Sequence, residues 1–102
     1  MTAGDFRRIA LSMPGASESS HMSHPDFRVR GKIFATLGYP DAAWGMVKLT
    51  PEQQRAFVQL DPEAFAPVKG AWGEKGSTNV RIAVAREDLL QEAMTAACGN
   101  IA

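Results

Sequence analysis

The chain has 102 residues, 45% hydrophobic and 22% charged, with 11 basic against 11 acidic side chains and no formal net charge. This length and composition suit one compact domain spanning residues 1–102, and the zero charge argues against a protein held to nucleic acid by bulk charge alone. No run approaches the roughly 20 apolar residues of a bilayer span, and Cys98 is the single cysteine, which excludes an internal disulfide.

Asp5, Arg7 and Arg8 stand where a secretory signal needs its apolar stretch, so a cytoplasmic protein is expected. Thr2 can cap a first helix whose Phe6, Ile9, Ala10 and Met13 fall at i, i+3, i+4 and i+7, with Pro14-Gly15 as its stop. Ala16–Ser20 reads as a polar connector without pattern. From there strand signals dominate to Leu49. Phe27 and Val29 alternate with Arg28 and Arg30, Gly31 supplies a turn, and Ile33–Leu37 returns, the signature of a hairpin. A two-residue loop at Gly31-Lys32 would pair Val29 with Phe34. A three-residue loop at Arg30–Lys32 would pair Val29 with Ile33, and is preferred because it gathers Ile33, Ala35 and Leu37 on the Phe27/Val29 face.

Gly38-Tyr39-Pro40-Asp41 predicts a turn, and Trp44–Leu49 a strand with Val47 and Leu49 on one face and Trp44, Met46 and Lys48 on the other. Thr50-Pro51-Glu52-Gln53 opens a helix as N-cap, N1 proline and capping box, anchored by Phe57, Val58 and Leu60. Asp61-Pro62 starts a short helix through Phe65 that Pro67 ends. Gly70–Gly76 is a glycine-rich loop around Trp72, and Ser77–Ala83 a strand with Val80 and Ile82 opposite Asn79 and Arg81. A last helix from about Arg86 buries Leu89, Leu90, Ala93, Met94 and Ala97 and stops at Gly99.

Helix, strand meander, helices, strand and helix together predict an α+β, two-layer fold: an antiparallel sheet with helices on one face and the other face wet. On that parity Arg28, Arg30, Lys48 and Arg81 project from the open face, with Trp44 and Met46 among them. Charge is distributed accordingly. Residues 26–48 carry Arg28, Arg30, Lys32 and Lys48 against Asp26 and Asp41, and residues 69–86 carry Lys69, Lys75, Arg81 and Arg86 against Glu74. The acidic side chains concentrate in the predicted helices, so a neutral chain can still own one positive face.

The stretches FRVRGKIFATL, VKLTPEQQ and PVKGAWGEKGSTNVRIA, followed by a helix with an acidic start, resemble the YjbR/MmcQ-like family over essentially the whole chain. The resemblance implies a two-layer fold similar to that of CyaY, the bacterial frataxin, and members of the family are usually labelled DNA-binding. The chain departs from the family at Ser77, where a Trp often follows the glycine.

Cations on a strand face beside an aromatic are what backbone binding needs: guanidinium and ammonium groups for phosphates, an indole for base stacking. A wet strand face also carries Arg and Lys simply to stay polar and resist edge pairing. The candidates for DNA are Arg28, Arg30, Lys48 and Arg81 on phosphates, Trp44 and Trp72 for stacking, and Lys32 and Lys75 at the rim. Alternatively, a small molecule or a protein occupies a pocket between the Trp72 loop and the 26–37 hairpin.

No iron site is expected, since Asp5 stands alone beside Arg7 and Arg8 where an acidic ridge would be needed. His21 and His24 point to opposite sides of a strand and lack a carboxylate pair at ligand spacing. GEKGST has its lysine before the last glycine, the reverse of a phosphate loop. Cys98 reads as a small core residue, and no nucleophile–base pair is visible. A monomeric, non-enzymatic binding domain without cofactor is therefore expected.

Overall fold

In a computed structural model, which describes residues 1–101, the chain forms a six-stranded antiparallel sheet with four helices packed against it. In chain order the elements are α1 (Ala3–Leu11), β1 (Ser17–His21), β2 (His24–Val29), β3 (Lys32–Leu37), β4 (Trp44–Lys48), α2 (Pro51–Leu60), β5 (Phe65–Pro67), α3 (Ala71–Glu74), β6 (Ser77–Arg81) and α4 (Glu87–Gly99). The sheet order is β1-β2-β3-β4-β6-β5. The α+β, two-layer expectation is met. No helix among the described residues is long and apolar enough to cross a membrane.

Register explains the layering. Phe27, Ala35, Val47, Thr78 and Pro67 pair in one row across five strands, and Leu37, Gly45, Val80 and Phe65 in the next. Both rows face the helices. Phe6 of α1 lies over Gly45, leaving no room there for a Cβ, while Leu90, Ala93, Met94 and Ala97 of α4 are buried in the same core. Four phenylalanines (Phe6, Phe27, Phe34 and Phe65) are fully buried, each worth about 1.5–3 kcal/mol of apolar transfer. The caps read from sequence are present: Thr2 with Asp5 on α1, and Thr50 with Gln53 on α2.

Several expectations are corrected. Ser17–His21 is a strand rather than a connector; exposed at every residue, it lies at the sheet edge and shows no apolar alternation. The hairpin turns on Arg30-Gly31, with φ of 55° and 76°, and pairs Val29 with Lys32. These are the left-handed values a tight two-residue hairpin turn demands. A one-residue shift between the Phe27–Ala35 and Arg28–Ile33 pairs then makes Phe34 the extra residue of a bulge, so Phe34 and Ala35 both reach the core. Residues 62–64 form a turn, not a helix, and Phe65–Pro67 is an edge strand. Ala71–Glu74 coils into one helical turn, and Ile82–Val84 leaves the sheet as a 3-10 turn.

In α2, Leu60 is exposed and Phe57 and Val58 are half-buried; the buried residue is Gln54. Its Nε2 donates to the carbonyls of Gly73 and Ser77, both at 2.9 Å, tying the Trp72 loop to the helix. Gln54→Leu keeps the volume and leaves two buried carbonyls without these donors. Each carbonyl keeps a backbone donor, Gly76 N and Val68 N, so the change is expected to cost about 1–2 kcal/mol, read as a lowered urea midpoint, and to loosen the loop that carries Trp72.

Candidate nucleic-acid interface

The sheet surface away from the helices carries the residues that alternate with the core rows. Asp26, Thr36, Met46, Asn79 and Ala66 pair across it, flanked on one side by the Trp44–Arg81 pair and on the other by Lys48–Ser77. The Arg81 guanidinium stacks over the Trp44 ring, 4.6 Å from its centroid. This cross-strand cation–π contact fixes the cation beside the ring.

At the opposite end, the loop before β6 brings Trp72 beside β4. Lys48 Nζ lies 5.4 Å and Lys75 Nζ 5.9 Å from its ring centroid. Trp72 is 63% exposed. Two ammonium groups and a solvent-facing aromatic surface therefore occupy one spot, assembled from β4 and from α3 and its cap. Among the described residues Lys48, Lys75 and Arg81 form no ion pair.

Arg28 has a different environment. Its Nε donates to Asp26 Oδ1 at 2.8 Å and a terminal nitrogen to Oδ2 at 3.2 Å, a two-pronged ion pair, while His21 Nδ1 lies 2.9 Å from Oδ2. Asp26 is wholly shielded from solvent by this collar although it lies on the open side of the sheet. The Arg28 hydrogen bond holds the Asp26 carboxyl below the ordinary carboxylate range; desolvation opposes it and His21 adds to it. Stability from this charge is thus full above the ordinary carboxylate pKa of 3.8 and is lost as pH falls through the lowered value. Asp26→Asn should remove that part of the acid transition in a pH-dependent unfolding curve.

The candidate residues accordingly divide. Trp44 and Arg81 form one cluster at one end of the open face, and Lys48, Trp72 and Lys75 a second at the other. Arg28 lies on that face but is neutralised by Asp26. Arg30 occupies the hairpin turn, off the strand alternation that was to place it on the face. Lys32, paired with Val29, shares the parity of Phe27 and falls toward the helix side. Asp26 was the residue missed; its place two positions before Arg28 on one strand face was the available signal. Ser77, the point at which the sequence resemblance implies a Trp, is buried. The exposed indole beside Lys48 comes from Trp72 instead. Cys98 is half-buried, and burial pushes its thiol pKa up, away from nucleophilic use.

A family model named YjbR matches residues 11–97. The fold is similar to the crystal structure of Deinococcus radiodurans protein DR2400, which carries a domain described as DUF419, with a TM-score of 0.75 and 18% identity over 94% of this chain and 75% of that one. No curated protein matches the chain.

Proposed function

The chain belongs to the YjbR family, and from that membership and its open sheet face we propose that it binds DNA, single strands before duplex, as a monomeric binding domain rather than an enzyme. Lys48, Lys75 and Arg81 contact phosphates, and Trp44 and Trp72 offer ring surface to bases. The observation that carries this reading is the exposed Trp72 indole with two unpaired ammonium groups against it, on the same surface as the Arg81–Trp44 stack. An indole in solvent costs apolar hydration that stacking a base removes, and any base supplies the face it needs. Local charge, not total charge, sets the attraction: the one carboxylate among the outward strand residues is already matched by Arg28.

Titration of short single- and double-stranded DNA at several salt concentrations tests the reading. About three phosphate contacts predict a log–log salt slope of roughly −2 for single strands. No binding of either form at low salt would refute it. Asp26→Asn offers a second check, since freeing the Arg28 fork should strengthen binding several-fold and steepen the slope by up to about 1.

A further inference from the structure

A second cationic feature lies at the hairpin end of the sheet. β3 and β4 pair only from Ala35–Val47 to Leu37–Gly45; beyond that, β3 runs into the bulge and hairpin while β4 turns into α2 at Thr50. The strands part there, and a groove of about 580 Å³ opens between the hairpin tip, the β4–α2 junction and the end of α4. Lys32 stands on the hairpin wall, with Lys48 and Lys75 contributed by the other. Arg28 also lines it, with its fork taken by Asp26. No aspartate or glutamate lines the groove, and none of the three lysines forms an ion pair among the described residues. Ile33, Pro51 and Ile101 supply apolar surface.

We propose that this groove binds a free small phosphomonoester with an apolar or aromatic body, about the size of a nucleoside monophosphate. Three like charges around one space repel each other, and an anion between them turns that repulsion into attraction. Lysines are point charges that suit a compact dianion, whereas a carboxylate is best met by a planar guanidinium fork, and the one fork present is occupied. The volume falls in the range of small-molecule sites, and the apolar wall suits the body of such a ligand rather than orthophosphate alone. The site shares Lys48 and Lys75 with the open face but does not rest on the DNA reading.

Equilibrium dialysis at low salt with AMP, adenosine and inorganic phosphate tests this on the intact chain and on Lys32→Glu, with circular dichroism to verify folding. AMP should bind at least tenfold more tightly than adenosine or phosphate, and Lys32→Glu should weaken it at least tenfold while leaving adenosine unaffected. A second variant, Lys32→Gln, should lose less than the charge reversal. AMP binding no better than adenosine, or equal in Lys32→Glu, would overturn the proposal. So would a 5′-phosphorylated oligonucleotide that outcompetes AMP while its 5′-hydroxyl counterpart does not, which would assign the groove to strand ends. If the unaltered chain binds DNA but not AMP, this site alone is removed; if it binds AMP but not DNA, the open-face reading alone is removed.

Discussion

Alanine in place of Gly76 is expected to destabilise the fold by at least about 3 kcal/mol, or a fall in Tm of about 12 °C or more for a domain of this size. Gly76 has a φ of +112°, which L side chains rarely adopt, and an added Cβ would collide with the Leu49 carbonyl. Neither problem relaxes alone. The Leu49 amide donates to Gly76 O at 3.3 Å and the buried Thr78 hydroxyl donates to the same oxygen at 2.8 Å, so the segment is held where β4 enters α2. Moving it displaces Lys75 and the loop bearing Trp72. A urea titration of the variant checks the stability loss, and the same protein should bind DNA more weakly even below its melting range. Gly31, whose φ of 76° is also left-handed, has open space around its Cβ position and should cost less.

Joint reversal of two cations, Arg81→Glu with Lys48→Glu, is expected to reduce affinity for single-stranded DNA by on the order of 100-fold at low salt, about tenfold per residue. Each change replaces attraction to phosphate with repulsion, so the salt slope should fall toward zero. Arg81 is exposed and Lys48 half-buried, and neither side chain forms a hydrogen bond or ion pair among the described residues, so the sheet should survive the change. Fluorescence anisotropy of a labelled oligonucleotide measures the loss. An equal reversal at Lys69, an exposed position preceding α3, should matter much less if the effect is local rather than due to net charge.

Legibility of the chain followed the range over which each feature is determined. Helix caps were readable because Thr2, Thr50 and their partners three residues on interact within one turn. The Trp44–Lys48 parity was readable for the same reason: alternation belongs to the strand itself. β1 was not, because SESSH lies at the sheet edge with nothing apolar to bury, and only its pairing with β2 makes it a strand. The hairpin register departs from expectation at the turn, where a left-handed Arg30 beside Gly31 pairs Val29 with Lys32 and not Ile33, and again at the Phe34 bulge, where two successive core residues break the period of two. Gln54 looked like a polar helix position and became buried only because the Trp72 loop, 19 and 23 residues away, presents two carbonyls to it.

Parity on the open face predicted where Arg81, Lys48 and Trp44 lie relative to the core, but could not reveal the engagements of each cation. Arg28 found a carboxylate on its own strand. Arg81 found an aromatic ring on the next. That difference, set by which residue the register puts beside each, separates a structural cation from one available to a ligand.

Two-dimensional 1H–15N spectra recorded while adding a short single-stranded DNA test the interface most directly, because the chain has two tryptophans and each indole N–H gives its own signal. Both Trp44 and Trp72 indole signals should shift in step with amides of β4 and β6, leaving the outer turns of α1 and the edge strand β1 unmoved. Shifts confined to the helical layer or to β1, with both indoles stationary at saturation, would contradict binding through the open face.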